Sequence, residues 1–293
     1  MGTVHRPAPR HGRAGPHPAG GPGLCRTAAG EAPRRWAVTA PGALLPSFLV
    51  FVFGLFVGSF LNVVIARLPE RRSIVTPRSA CPRCERPIPW YDNVPLLSFA
   101  LLAGRCRYCR APISWRYPVV EAATGGLFLL ALARRGLSLD LVSALVLLAA
   151  LVAVTGIDLD HQIIPDVITV PGIAVGLACS LVTGQPRWLE SLIGAVVGGG
   201  LFLLIIVASG GGMGGGDMKL GAMLGAFLGW RLLLVGVMIS VLAGGVVAIA
   251  LLALRRRGRK DAVPFGPFLA LGGALALLWG ERILQWYLTA FVR

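Results

Sequence analysis

The stretch Ser209-Gly-Gly-Gly-Met-Gly-Gly-Gly-Asp-Met-Lys-Leu220 places six glycines and one carboxylate between two apolar runs that are long enough to cross a bilayer. Each glycine costs a helix interior about 1 kcal/mol relative to alanine, so the stretch predicts a break between two helices. An ionisable group near membrane depth is costly and usually marks a functional site. Asp217 is therefore the first candidate functional residue.

The composition around this stretch is that of a polytopic membrane protein. Hydrophobic residues make up 55% of the chain and charged residues 14%, whereas soluble domains carry about 25% charged residues. The formal net charge of +15 would favour nucleic acid as a partner in a soluble chain. Here the arginines fall mostly in short loops between apolar runs, as membrane orientation requires. We therefore expect membrane lipid, and no nucleic acid, as a partner.

The apolar runs predict an all-α bundle of about eight transmembrane helices. They lie at about 44–66, 119–133, 141–156, 167–182, 192–208, from 218 onward, 232–254 and 265–280. Residues 1–43 are rich in Pro, Gly, Ala, Arg and His without apolar periodicity, which predicts a disordered N-terminal extension. The polar segment 67–118 forms an insert after the first span, and residues 119–293 form the main membrane domain.

Basic residues predict the orientation of this bundle. Arginines follow the first span directly, and a second basic run, 255–260, follows the seventh span. Under the positive-inside rule the segment 67–118 is then cytoplasmic, together with the span ends near 158–166 and 209–217. Arg134, Arg135 and the arginines of the N-terminal extension do not follow this pattern. The predicted topology places both carboxylate-containing span ends on one face of the membrane.

The polar insert contains Cys81-Pro-Arg-Cys84 and Cys106-Arg-Tyr-Cys109, separated by 21 residues. Each CxxC turn directs two thiolates at one ion, and two turns complete a tetrahedral zinc shell. The alternative is two disulfides, which a cytoplasmic location disfavours. Because four thiolates leave no open position, we expect a zinc-ribbon-like insert whose zinc is structural rather than catalytic.

Two aspartates are candidates for joint catalysis. Asp158 ends the third span and Asp217 begins the sixth on the same side, so the two can meet in the folded bundle. Two carboxylates that share one proton can activate water and protonate a carbonyl, as in aspartic proteases. Asp160 and Asp166 are alternatively helix caps or solvated loop residues. Lys219 is either an interfacial anchor or a charge that keeps Asp217 ionised.

The same two aspartates are also compatible with two other classes of function. In a proton- or cation-coupled transporter the same aspartates would carry the ion, and the broken helix would line its path. The polar insert with four cysteines and the absence of a visible two-fold repeat of broken helices argue against it. In a non-catalytic assembly scaffold, both aspartates could be replaced without effect.

Several motifs together carry a resemblance to the bacterial type IV prepilin peptidases, which are membrane aspartic proteases with a GxGD signature. The matching segments are Gly214–Asp217, Ile157–Asp166, Gly58–Asn62, the paired CxxC segment, Tyr117-Pro-Val-Val-Glu121 and Pro264-Phe-Gly-Pro-Phe268. The resemblance covers roughly residues 50–281. GxGD alone is moderately specific, whereas the whole set in this order is highly specific. The N-terminal extension has no counterpart in the family.

The resemblance implies a multi-pass enzyme of the bacterial inner membrane with its active site facing the cytoplasm. Such an enzyme cleaves the basic leader of prepilins or pseudopilins, and members with the cysteine segment then N-methylate the new N-terminus with S-adenosylmethionine. By motif position Asp158 and Asp217 are the catalytic pair. Asp158 is preferred over Asp160 because it lies eight residues before the residue that follows Pro165. Neither the particular pilins nor the oligomeric state follows from the sequence.

Overall fold

The apolar runs of the sequence form helices in the computed structural model, which describes residues 2, 41–210, 213–254 and 264–291. All of these except residue 2 belong to one compact unit, Pro33–Arg293. Most of the predicted N-terminal extension 1–43 and the basic run 255–260 lie outside the described residues, so both remain predictions.

Within the described ranges, eight α-helices and no β-strands occur, which confirms the all-α fold. The helices are α1 (Leu44–Arg67), α2 (Leu97–Leu101), α3 (Arg116–Arg135), α4 (Leu139–His161), α5 (Asp166–Thr183), α6 (Trp188–Ala208), α7 (Gly215–Ala253) and α8 (Gly266–Phe291). Of these, α1 and α4 to α8 are long and apolar enough to cross a membrane. Helix α3 covers the predicted second span and is less apolar, because it carries Arg116 and Glu121 and ends in two arginines.

Helix α7 contains the predicted sixth and seventh spans as two halves that meet at Gly229. The backbone of Gly229 has φ 71° and ψ 167°, a conformation that side-chain-bearing residues rarely adopt. A Cβ at Gly229 would also come within 3.2 Å of Pro186, which precedes α6. Every predicted span is therefore covered by a helix to within one residue, and the 39 residues of α7 are divided by a glycine.

The two halves of α7 run in opposite directions along the bundle. The first half starts beside Ile164, which a Cβ at Gly216 would approach within 2.8 Å, and ends beside Pro186. The second half runs antiparallel to α8, because Leu232 near its start lies beside Gly280, whereas Gly244 further along lies beside Phe268 near the start of α8. The start of α7 and the start of α8 therefore lie at the same end of the bundle, as the predicted topology requires.

Glycines allow α6 and α7 to pack with their backbones in contact. A Cβ at Gly194 would overlap the carbonyl group of Gly225, and a Cβ at Gly198 would overlap that of Gly221. The hydroxyl of Ser191 also donates a hydrogen bond to the carbonyl oxygen of Ala226. Small residues at such crossings provide the van der Waals contact that holds membrane helices together.

Replacing Gly194 by alanine is expected to separate α6 from α7. The added methyl group meets backbone rather than a flexible side chain, so we expect a loss of roughly 1–3 kcal/mol in the free energy of unfolding. Thermal unfolding of the purified protein in detergent measures it. The matched control on the same helix is Gly200→Ala, where a Cβ meets no atom within 4 Å. Equal melting temperatures for the two variants would contradict this packing.

Candidate active site and metal centre

Asp158 lies in the last turn of α4 and is only 4% exposed. The helix ends because Gln162 adopts a left-handed conformation with φ 54°, from which its N–H donates to the carbonyl oxygen of Asp158 at 3.0 Å. The backbone amide of Gly266 faces the Asp158 carboxylate from the start of α8. A Cβ at Gly266 would lie 2.5 Å from Oδ2 of Asp158, so a glycine is required for this approach.

Asp217 lies in the first turn of α7 and is 8% exposed. Its backbone N–H donates to the carbonyl oxygen of Gly214 at 3.1 Å, which fixes the turn from the glycine-rich loop into the helix. Gly214 is extended (φ −75°, ψ 144°) and a Cβ there would lie 3.7 Å from Oδ2 of Asp217. Of the loop glycines in the quoted stretch, Gly211 and Gly212 lie outside the described residues.

The structure brings the two aspartates together, as the sequence predicted. The carboxyl group of Asp158 is close enough to that of Asp217 for their charges to interact. Oδ2 of Asp158 and Oδ1 of Asp217 are both buried and have no hydrogen-bond partner among the described residues. Buried carboxyl oxygens without partners are costly unless they share a proton or bind water or a ligand. Such a pair can perform general acid–base chemistry on a substrate bound between them.

Ile164 connects the two halves of this site. Its Cβ lies beside Gly216, the neighbour of Asp217, and its Cδ1 would lie 3.2 Å from a Cβ at Gly266, which faces Asp158. The short segment between α4 and α5 thus fills the space between the start of α7 and the start of α8. No role was predicted for Ile164 or Gly266 from the sequence, although both lie in segments that carry the resemblance.

The other two aspartates of the cluster have a different environment. Asp160 pairs with Arg116 and its side chain is 37% exposed, whereas Asp166 accepts from Lys219 at 2.6 Å and is 60% exposed. Lys219 is therefore bound to Asp166, whereas the sequence predicted either an interfacial anchor or a charge that keeps Asp217 ionised. Because exposed ion pairs are satisfied without a substrate, the geometry favours Asp158 over Asp160 as the partner of Asp217.

The four predicted cysteines converge in the segment between α1 and α3. The Sγ atoms of Cys81, Cys84, Cys106 and Cys109 all lie within 4.8 Å of one another, and those of Cys81 and Cys109 are 3.8 Å apart. Four thiolates around a zinc ion at about 2.3 Å stand about 3.8 Å apart in a tetrahedron. All four cysteines are free thiols. The cluster therefore fits a four-thiolate metal ion.

This cysteine segment is an internal repeat of two turns 25 residues apart. The isolated bridge Ala80–Pro87 recurs as Arg105–Pro112, and each turn has a left-handed residue directly after its second cysteine. In each turn the N–H of the first cysteine donates to a carbonyl five residues ahead, at 3.0 and 2.8 Å. The same repeat is visible in the sequence, where residues 81–90 read CPRCERPIPW and residues 106–115 read CRYCRAPISW.

Backbone and side-chain hydrogen bonds set the charges within this segment. Amides of Cys84 and Arg83 lower the pKa of the Cys81 thiol to about 6, so a thiolate is available at neutral pH. Arg107 donates to both oxygens of Asp92, at 2.7 and 2.5 Å, and this hydrogen bonding lowers the pKa of Asp92. The pairing therefore stabilises the segment at neutral pH and is lost only in acid, below the ordinary range of aspartate.

A cavity of about 1050 Å³ separates the cysteine segment from α1 and α3. Asn62 and Glu121 line it from the helices, and Asp92, Phe99 and Arg107 line it from the segment. The amide of Asn62 on α1 donates to the carbonyl oxygen of Tyr117 on α3 at 3.1 Å, which joins the two helices. The volume is that of a site for a small organic ligand.

Two family models match the chain. One, described as the bacterial peptidase A24 N-terminal domain, matches residues 52–135 and so includes all four clustered cysteines. The other, described as the type IV leader peptidase family, matches residues 145–249 and so includes both buried aspartates. No solved structure matches the chain at a significant level.

Named relatives match over most of the chain. The chain is 42% identical over 273 residues to the prepilin leader peptidase/N-methyltransferase of Aeromonas hydrophila. The matched region covers 83% of this chain and 94% of that protein. A protein of the same name from Myxococcus xanthus (strain DK1622) is 49% identical over 228 residues, covering 75% of this chain and 68% of the relative. One from Bacillus subtilis (strain 168) is 37% identical over 240 residues, covering 82% and 97%.

Proposed function

This chain belongs to the type IV leader peptidase family, and we propose that it cleaves the leader from prepilins or pseudopilins and then methylates the new N-terminus. The observation that carries the proposal is the buried pair Asp158 and Asp217 at one end of a membrane bundle. The printed names of the relatives support both activities.

Peptide cleavage is assigned to the aspartate pair. When one carboxyl group carries a proton and the other does not, the ionised group takes a proton from water as the water attacks the peptide carbonyl. The protonated group donates to the carbonyl oxygen, and the amine leaves after it accepts a proton. A Cβ at Gly214 would meet no atom nearer than Oδ2 of Asp217 at 3.7 Å, so the loop leaves space beside that carboxyl group for an extended substrate backbone.

The substrate class follows from where the pair lies in the bundle. A precursor whose apolar helix lies in the bilayer beside α4 and α7 would present the residues before that helix to the bundle end that holds Asp158 and Asp217. We propose that this end faces the cytoplasm and that the membrane is the bacterial inner membrane. Dense arginines in the adjoining segment 67–118 support that orientation.

We assign the cysteine segment 67–118 to metal binding and methylation, and residues 119–293 to the peptidase. Cys81, Cys84, Cys106 and Cys109 would hold zinc in a closed shell that folds the segment. S-adenosylmethionine, when bound, supplies an electrophilic methyl group, and the cavity between the segment and α1 and α3 has sufficient volume for it. The chain's own part is to hold the new amino group unprotonated beside that methyl group.

The transporter reading has no support from the comparisons, since both family models and the relatives named above are peptidases. The burial of unpaired carboxyl oxygens is compatible with ion transport. The clustered cysteines and the cavity beside them have no role in such a reading.

Incubating membranes that contain the full chain with a purified prepilin and S-adenosylmethionine tests the proposal. Mass spectrometry of the product is expected to show loss of the basic leader and a mass increase of about one methyl group on the new N-terminal residue. Membranes without the chain provide the control. An uncut prepilin would contradict the peptidase assignment, and a cut but unmethylated product would contradict the methyltransferase assignment alone.

A further inference from the structure

Glu121 is a buried carboxylate for which the proposed peptidase chemistry has no use. It lies in α3 and is 8% exposed, because α1 packs so closely there that a Cβ at Gly58 would come within 2.7 Å of the Cα of Glu121. The side chain lines the cavity between the cysteine segment and the helices. Ser59 of α1 lies beside the carboxylate.

The cysteine segment reaches across this cavity to Glu121. The N–H of Leu96 donates to Oε2 of Glu121 at 2.8 Å, and Leu96 itself has a left-handed backbone with φ 59°. A bulky residue rarely adopts this conformation, which is strained and is found mostly at functional sites. The strained amide therefore holds the carboxylate in one position at the cavity wall.

No cation neutralises Glu121 within the described ranges of the chain. The other buried acid of the cavity, Asp92, is bound at both oxygens by Arg107, and Arg116 at the start of α3 pairs with Asp160. A buried carboxylate is stable when an opposite charge lies next to it. Because the described residues supply none, the position beside Glu121 suits a cationic group of a ligand.

Building on the function proposed above, we propose that the cavity binds S-adenosylmethionine with its sulfonium end against Glu121. The ligand carries a positive sulfonium, an amino-acid carboxylate and a flat adenine ring. The cavity offers a complement for each: the Glu121 carboxylate, arginines that include Arg83 and Arg86, and the rings of Phe99 and Tyr108. Guanidinium groups bind carboxylates, and aromatic faces bind purines.

An ion pair connects α3, which forms one wall of the cavity, to α4, which carries Asp158. Arg116 begins α3 five residues before Glu121, and it pairs with Asp160, two residues after Asp158 on α4. A peptide cut beside Asp158 would therefore release its new amino terminus near the α3 wall of the cavity. The proposed site is thus close to the point at which its methyl acceptor is formed.

Binding of radiolabelled S-adenosylmethionine to the purified full chain tests this site by equilibrium dialysis. We expect Glu121→Gln to weaken binding roughly tenfold or more, the effect of losing one charged contact in a buried site. S-adenosylhomocysteine lacks the sulfonium charge, so its affinity should change far less. This difference between the two ligands distinguishes charge recognition from a general loss of structure. Glu281→Gln, an exposed glutamate on α8, is the matched control.

A second variant keeps the test decisive if Glu121→Gln does not fold. Ala66 is exposed on α1 and lines the cavity, so Ala66→Trp fills space and leaves Glu121 intact. Loss of binding in both variants supports the site, and unchanged affinity in both overturns it. If the wild-type chain binds no S-adenosylmethionine, the site and the methyltransferase assignment both fail. Prepilin cleavage by the same preparation reports separately on the peptidase assignment.

Discussion

Asp217→Asn is expected to reduce leader cleavage by roughly 10²–10⁴-fold, the contribution of one positioned acid or base. The amide keeps the size of the carboxyl group and can neither take a proton from water nor supply one to a carbonyl. The same loss is expected for Asp158→Asn, because the two groups act as one unit whose single replacements are not additive. Cleavage of a prepilin by membranes of each variant, followed on a gel, measures the loss.

Asp160→Asn is the matched control for this pair. Asp160 lies two residues from Asp158 on α4, yet its side chain is exposed and paired with Arg116. Its replacement should change cleavage by no more than a few fold, since exposed ion pairs contribute about 0–1 kcal/mol. Cleavage lost in Asp160→Asn and retained in Asp158→Asn would reverse the assignment. All three variants should insert in the membrane at wild-type levels.

The sequence predicted one half of this site from physics alone. A glycine-rich break beside Asp217 is costly in a membrane helix, and the apolar runs predicted the helix that presents it. Asp158 was preferred over Asp160 because of its position in the motif. The structure adds a physical reason, since Asp158 is only 4% exposed. Ion pairs satisfy Asp160 and Asp166, and no spacing rule predicts such pairs between distant helices.

The contacts that complete the site come from segments far apart in the chain. Gly266 contacts Asp158 although the two are more than a hundred residues apart in the sequence. Ile164 lies between the start of α7, which carries Asp217, and the start of α8. A single sequence contains no signal that pairs these segments, because helix packing in membranes depends on small residues and backbone approach. The reversal of α7 at Gly229 was predicted only as two adjacent spans, and its left-handed backbone is visible only in the structure.

The sequence predicted the cluster of four cysteines directly, whereas it gave no indication of the cavity beside them. Cysteine spacing indicates metal ligands directly, since each CxxC turn aims two thiolates at one point. Glu121 was quoted only as part of a motif, because a glutamate in an apolar helix does not show which partners it lacks. Its role follows from the amide of Leu96, the packing of Gly58 and the absence of a paired cation among the described residues.

Replacing Cys81 and Cys84 together by serine is expected to remove the metal and, with it, methylation. Two ligands of four are lost, and a structural zinc site contributes roughly 10–16 kcal/mol of apparent binding free energy, which is folding free energy for its segment. The zinc content of the purified protein should fall from about one ion per chain to nearly none. The segment also forms one wall of the cavity, so binding of S-adenosylmethionine should be lost as well.

Leader cleavage by this double variant should decline much less than methylation, because the two aspartates proposed as catalytic lie on α4 and α7 rather than on the cysteine segment. Cys179→Ser provides the matched control, since Cys179 is a free cysteine on α5 outside the cluster. Metal analysis and mass spectrometry of the pilin product measure the two effects on one preparation. Full zinc content and full methylation in the Cys81, Cys84 variant would exclude the proposed role of the cluster. Equal loss of cleavage and methylation would instead show that the segment supports the peptidase site, through a contact such as that of Arg116 with Asp160.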